Sequence, residues 1–550
     1  MTPLVGISES DYRAKTISDE VERILESLEN TYELDANKNV ADLQPASVLT
    51  PLKRHQIVAI SFMMQREDKA IADRSHRELQ NFLKLPSKER ISLAPMGGVL
   101  ADAMGLGKTL TMLSGIVLSV ADARVFASQN LGGSRGNQTF RHLKSGSLKA
   151  LRFHSSNRPK LAAAVVDHDV VLTTYATLAA DSKGYRILQE IEWYRVILDE
   201  AHWIRNQNSD QFRAAQSLVA ERRWCATGTP IQNRLNDFIS LLKFLHFQPF
   251  AVGSVFEKYV LKPLVEDKLD RAANLRALMR SVCLRRGDSY LKLDAPQYEE
   301  VTVELQPDER KLYNDVLQRC IRDIDKAVST DASIKKYSIL FTAILKLRRL
   351  CNHGTFFPLA QTSGLALGPL DPEEANCGLC SGDDQDKIGL LDNFDFCTEC
   401  GRSLVEPPRG PKKRSGRGTY KKASLKAAAA YPPDLQYGHS TKLALIVNNL
   451  EKAPMGSKRL NLTAANNVHI VEPQWNPSIE QQAIARAVRM GQTRLVTVFR
   501  YMTRGTVEEN ILELQRKKSN LAKFTLDDGP EDEKSGKMED LKFVLEIDKK

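Results

Sequence analysis

The stretch VLADAMGLGKTLTML (99–113) decides the fold. An apolar strand runs into a glycine turn, and the turn opens a helix. Gly105 and Gly107 permit a tight bend in which backbone N–H groups and a helix N-terminus converge on phosphate oxygens. Lys108 would reach the β- and γ-phosphates of a nucleotide, and Thr109 would ligate Mg²⁺. The signature for such a loop usually reads GxxxxGK[ST], and Asp102 stands where its first glycine would be. The candidate nucleotide-binding set on this loop is therefore Asp102, Gly105, Gly107, Lys108 and Thr109.

A second stretch completes the first. ILDEAHWIRN (197–206) is an apolar strand that ends in two carboxylates. In a nucleotide-binding sheet such a strand tip lies beside the phosphate loop. Asp199 would hold Mg²⁺ there and Glu200 would polarise an attacking water. A strand end with solvated acids is common by itself, but a glycine loop about 90 residues earlier makes the pair point to ATP.

Working outward, short apolar strands such as VVLTTYATL (170–178) and YRVILDE (194–200) alternate with helical stretches between Leu52 and Arg234. That alternation predicts βαβ units and a parallel sheet, an α/β fold. Residues 1–45 hold an amphipathic, acid-rich stretch, ISDEVERILESLENTYEL, expected to form peripheral helices. Residues 235–350 read as nearly continuous helix. A second α/β piece with the strands VHIVEP and TVFRYM falls in 439–525. These features predict an N-terminal helical region (1–45), a first lobe (46–240), a helical region (241–354), an insertion (355–438), a second lobe (439–525) and a charged tail (526–550).

With 550 residues the chain is too long for one ordinary core. It carries 78 basic and 68 acidic residues, a net charge of +10, which is compatible with nucleic acid without establishing it. No run of about 18 apolar residues predicts a membrane span. MTPLVGISESDYRAK lacks the basic start and apolar stretch of a secretory signal, so the chain is expected to stay inside the cell, without membrane partners.

Of the eight cysteines, Cys225, Cys283, Cys320 and Cys351 are scattered and read as small buried residues. Cys377, Cys380, Cys397 and Cys400 form CGLC-x₁₆-CTEC, two knuckles at structural zinc spacing. Four thiolates close the tetrahedron, so a Zn²⁺ here would be structural. Reduced free thiols or a redox CxxC are the alternatives. The basic run RGPKKRSGRGTYKKASLK (409–426) reads as a nuclear import signal, a DNA phosphate contact or a solvated linker.

Taken together, DAMGLGKT, DEAHWIRN, CATGTPIQN (225–233), EPQWNPSIEQQ (472–482) and QAIARAVRMGQT (482–493) resemble the signature blocks of the Swi/Snf family of superfamily-two ATPases. The likeness is to fungal members related to DNA-repair translocases with an insertion between the lobes. LKRHQIVAISFM (52–63) is similar to that family's opening motif, in which Gln56 would read the adenine edge. LMRSVCLRR (278–286) and LKLRRLCNH (345–353) resemble its connecting segments. DEAH also occurs in RNA helicases, but WNP followed by RxxRxGQ does not belong to them.

The resemblance implies two RecA-like parallel-sheet lobes, the second incomplete, that close on ATP and Mg²⁺ while gripping duplex DNA or nucleosomes. Lys108, Asp199, Glu200, Arg486 and Arg489 would be catalytic, the last two reaching the phosphates from the second lobe. The expected activity is ATP hydrolysis coupled to movement on DNA, in the nucleus, with chromatin or repair proteins as partners. Relatives with a RING insertion need eight zinc ligands, and four cysteines favour a single-zinc ribbon without ligase activity.

Two blocks of the family pattern are absent. DARVFASQNLGGSRGNQTFRH (122–142) replaces a strand and turn that contact DNA. In the second lobe, LALIVNNLEKAPMGSKR leads directly to LNLTAANNVHIVEP, where the family has several further strands. Each βα unit needs about 30 residues, so 439–525 supplies about half a RecA-like sheet. An active translocase and a catalytically weak relative that binds DNA or a partner both follow from this, and poor ATP turnover is expected.

Overall fold

A computed structural model describes residues 21, 23–28, 43–130, 144, 146–154, 158–231, 235–265, 272–287, 290, 293–328, 333–353, 440–451, 465–474, 477–520 and 543–545. Two compact units meet in sequence at Leu293 and Asp294. The cysteines at 377–400, the basic run and most of the C-terminal tail lie outside the described residues.

The first unit is built on parallel strands. In chain order they are β1 (Met96–Leu100), β2 (Ala150–Arg152), β3 (Val170–Leu172), β4 (Glu192–Asp199), β5 (Val219–Ala226) and β6 (Cys283–Leu284). Four of them form one sheet in the order β4-β5-β1-β6, and β2 pairs with β3 separately. Every pairing is parallel, as the strand–helix alternation predicts.

Register does the important work in this sheet. Leu100 of β1 lies opposite Ala226 of β5 and Leu284 of β6, and Ala226 lies opposite Asp199 of β4. Four carboxyl ends are thus level, and the loops after them open on one edge. Ligands in open α/β sheets bind at that edge.

Side-chain volume sets how closely β1 approaches its neighbours. A Cβ on Gly97 (φ +125°) would sit 1.8 Å from the Arg223 carbonyl oxygen, and one on Gly98 would sit 2.6 Å from that of Val282. Only glycine fits either place. Behind the sheet, Trp224 is fully buried with its ring edge-on to Phe62 at 6.0 Å, and its indole N–H donates to Glu67 at 2.7 Å. Glu67 also accepts from Arg195 at 2.7 Å, so the end of helix Arg54–Glu67 is tied to β4 and β5.

The N-terminal stretch departs from the expected peripheral position. Val21, Ile24, Leu25 and Leu28 are buried in the main core of this unit. Their i, i+3, i+4, i+7 spacing makes one apolar stripe, and a stripe of four large side chains is most stable inside.

The second unit holds β7 (Gln297–Val303), β8 (Asn467–Ile470) and β9 (Thr497–Thr503), parallel and in the order β7-β9-β8. The helical reading of 235–350 is corrected here, because β6 and β7 interrupt it. QYEEVTV pairs with β9 over all seven of its residues, a contact 200 residues distant in sequence. Helices Pro307–Val328, Ser333–His353 and Val507–Asn520 enclose a core around Leu312, Ile344, Leu347 and Ile511. Among the described residues no single helix is long and apolar enough to cross a membrane.

Lys442 and Glu508 form a fully buried ion pair that joins helix Thr441–Glu451 to helix Val507–Asn520. The ammonium donates to both carboxylate oxygens, to Asn352 at 3.2 Å and to the Val471 carbonyl at 3.1 Å. The Thr503 backbone N–H supplies a further donor to Glu508 at 2.9 Å. Removing one partner of such a pair strands a charge and costs about 3–5 kcal/mol, whereas replacing both by apolar residues costs far less. Hydrogen exchange of the amides in 507–520 should therefore accelerate strongly in Lys442→Met and recover most of its protection in Lys442→Met/Glu508→Leu.

Candidate nucleotide-binding site

The loop after β1 carries the site. Gly105 and Gly107 both take left-handed backbone, φ +87° and +78°, and helix Lys108–Leu118 starts immediately afterwards. Lys108 is buried, and its ammonium donates to the carbonyls of Asp102 at 2.9 Å and Ala103 at 3.3 Å. Burial pushes its pKa below the ordinary lysine value, while the carboxylates of Glu200, Asp102 and Asp199 push the other way. A cation held at a helix N-terminus among backbone dipoles is suited to polyphosphate.

The tip of β4 lies against this loop. Thr109 donates its hydroxyl to Asp199 at 3.1 Å, which brings together the two side chains expected to hold Mg²⁺. Glu200 follows with φ +52°, a left-handed conformation uncommon for a non-glycine residue, which turns the chain out of the strand. His202 Nδ1 stands 3.4 Å from a Glu200 oxygen. Tyr175 donates its phenol to the Asp199 carbonyl at 2.9 Å and stacks on Trp203 at 6.2 Å. Strand end, hydroxyl and aromatic pair thus hold both acids at the mouth of the loop.

Gln56 is buried on the first turn of helix Arg54–Glu67. Its Oε1 accepts the Lys53 backbone N–H at 2.9 Å. Because that N–H can only donate, the carboxamide is oriented without ambiguity. Its Nε2 is buried with no partner among the described residues. An aimed, unanswered donor of this kind suits an acceptor such as adenine N7.

Asp102 has a different place from the one its position in the motif suggests. Its side chain is buried and pairs with Arg286, whose Nε lies 2.8 Å from Oδ1 and whose Nη2 reaches Oδ2. A further N–H of Arg286 donates to the His55 carbonyl, and His55 Nε2 lies 3.1 Å from the Leu106 carbonyl. The backbone N–H of Ala103 also donates to the Arg286 carbonyl at 2.8 Å. The carboxylate therefore shapes the loop, and its main-chain carbonyl is what meets Lys108. Arg286 was visible in the sequence only as part of LMRSVCLRR, whose basic pair resembles a connecting segment.

In the second unit, Arg486 and Arg489 lie in the turns that follow helix Pro477–Ile484, instead of on a helix. Gly491, with φ +92°, closes these turns. Gln492 secures them by donating to the Ala465 carbonyl at 2.9 Å and accepting the backbone N–H groups of Thr493 and Arg494 at 3.0 Å each. Arg486 is exposed and Arg489 half-buried. Among the described residues no cluster of three or more His, Cys, Asp or Glu is arranged to hold a metal ion.

The sequence profile of the SNF2-related domain matches residues 55–356, more than half of the chain. The chain belongs to the SNF2-related family. Its match runs from the helix bearing Gln56 through the phosphate loop and the DEAH strand to the helices of the second unit. Among its relatives, a SWI/SNF-related matrix-associated actin-dependent regulator of chromatin, subfamily A member 3-like 1, from Arabidopsis thaliana is 27% identical over 91% of this chain and 74% of that protein. DNA repair protein RAD5A from Arabidopsis thaliana is 25% identical over 82% of this chain and 60% of its own length. The human Helicase-like transcription factor is 27% identical over 70% of this chain. This SNF2-related chain spans 49% of that last relative.

Two substitutions probe the site. Gln56→Ala removes one buried hydrogen-bond donor, worth about 1–1.5 kcal/mol, so ATP affinity in equilibrium titration should fall about tenfold. Arg286→Met leaves the Asp102 carboxylate buried without its cation, at a cost of about 3–5 kcal/mol. Hydrogen exchange at the amides of 101–107 should rise in that variant, and nucleotide affinity should drop with it.

Proposed function

We propose that this chain is a DNA-dependent ATPase that couples ATP hydrolysis to movement along duplex DNA, in chromatin remodelling or DNA repair. The convergence of Lys108, Thr109, Asp199 and Glu200 on one sheet edge carries this reading. Lys108 neutralises the β- and γ-phosphates, Thr109 and Asp199 hold Mg²⁺, and Gln56 selects adenine. Held by Thr109 and Asp199, Mg²⁺ would supply charge neutralisation to the bound phosphates. Glu200, turned out of β4 and steadied by His202, orients and accepts a proton from the attacking water. Arg486 and Arg489 act on the developing phosphate charge, a contribution worth about 10³–10⁵ in rate when fully placed.

Duplex DNA or nucleosomes are the proposed partners, with the net charge of +10 favouring a polyanion. The same reading keeps the protein in the nucleus and divides the chain into first lobe, helical region, insertion and second lobe as the motifs suggest. It also assigns a structural zinc to Cys377, Cys380, Cys397 and Cys400. Metal analysis of the purified protein should then find about one zinc per chain, lost in a Cys377→Ser/Cys400→Ser variant.

The deciding experiment is ATP hydrolysis by the full chain with and without duplex DNA. Wild type should show DNA-stimulated turnover and Lys108→Ala none. The absolute rate should be low beside that of a relative with a full-length second lobe, because arginines held to within roughly half an ångström need a complete sheet behind them. Hydrolysis that is equal in wild type and Lys108→Ala would remove the assignment.

A further inference from the structure

Arg285 stands next to the arginine that clasps Asp102, and it points to a different partner. Its Nη1 donates to the Gly228 carbonyl at 3.3 Å, in the turn that follows β5. That turn is pressed against the phosphate loop: a Cβ on Gly228 would meet the Met104 side chain at 3.2 Å and the Asp102 carbonyl oxygen at 3.8 Å. The Asp102 carbonyl is the same oxygen that receives the Lys108 ammonium at 2.9 Å. The half-buried guanidinium of Arg285 is thereby a close neighbour of Lys108, and its charge is one of the influences that hold the Lys108 pKa down.

Lys108 already has the carboxylates of Glu200, Asp102 and Asp199 nearby, and an anion between it and Arg285 is attracted by both cations. Arginine offers a planar fork of donors that matches phosphate oxygens, with no proton to lose. Its anchor on the turn after β5 also sets it apart from Lys108, which bonds the loop carbonyls of Asp102 and Ala103. The two cations therefore reach the loop from separate segments, which offers a polyphosphate on the loop a second cation besides Lys108.

We propose that Arg285 is a phosphate-binding residue of this nucleotide site, engaging the terminal phosphate of ATP from within the same unit as Lys108. The assignment rests on the nucleotide-binding reading above, and it adds a cation that does not depend on Arg486 or Arg489. Through its bond to Gly228 it would also tie the turn 227–230 to the presence of the third phosphate.

The test is equilibrium titration of the full chain with a non-hydrolysable ATP analogue, AMP-PNP, and with ADP, both with Mg²⁺, in wild type, Arg285→Met and Arg285→Lys. Loss of one charge-assisted hydrogen bond should weaken AMP-PNP about ten- to hundredfold in Arg285→Met, with ADP changed by less than about threefold. Arg285→Lys should recover part of the AMP-PNP affinity because it keeps the charge. Equal affinities in all three proteins would overturn the proposal. An equal loss for both nucleotides would also overturn it, because it marks a residue that only shapes the loop. A wild type that binds neither nucleotide would remove the ATP-site reading itself and this assignment with it.

Discussion

The buried pair between Asp102 and Arg286 is the constraint on which the candidate nucleotide site depends. A carboxylate in the phosphate loop and a guanidinium 184 residues later are both withdrawn from water, and neither is tolerable there alone. Their mutual requirement joins three separate stretches of chain. The loop after β1 supplies the acid and the segment after β6 the base, while helix Arg54–Glu67 contributes the His55 carbonyl as a further acceptor. Once these are locked, the backbone between Ala101 and Leu106 has little freedom, because Ala101 and Ala103 also donate to Leu284 and Arg286. Asp102 thus replaces the first glycine of the usual signature with a cross-link.

The remaining site geometry follows from strand register. Because Leu100, Asp199, Ala226 and Leu284 end level with one another, whatever comes next in each strand faces the same space. A slip of one residue between β4 and β5 would turn Asp199 to the opposite face and part it from Thr109. The close approach that sets this register is secured by Gly97 and Gly98, and by Glu67, which gathers Arg195 from β4 and Trp224 from β5. The residues that set the register therefore also hold the loops of the candidate site, as where a rigid scaffold presents functional loops.

Family membership brings the motifs into a common frame, and it also marks where this chain is unusual. Within the described residues, the sheet of the second unit has three strands, one of which, β7, comes from far upstream of the other two. Its stability is supplied by the Lys442–Glu508 pair and by the helices around Leu347 and Ile511. The turns bearing Arg486 and Arg489 are secured by Gln492, which ties them to Ala465 just ahead of β8. Polar cross-links take a prominent part in both units.

The short-range chemistry was legible in the residues alone. GLGKT dictates a left-handed turn and a helix start, DEAH dictates a strand tip with two acids, and apolar alternation dictates a parallel α/β unit, because each depends on neighbours within a few positions. The primary structure also determined which residue types could meet phosphate and Mg²⁺. What the tertiary structure alone decided is which distant groups satisfy one another. The role of Asp102 changed because its partner lies beyond β6. QYEEVTV became a strand because β9 offered it seven backbone partners. The stripe of Val21, Ile24, Leu25 and Leu28 moved from the periphery to the core because a surface existed to receive it. Local dihedral preference and periodicity are properties of a sequence. Pairing of buried charges, strand edges and apolar faces belongs to the packed molecule, since the free energy of each is set by a group that sequence distance does not reveal.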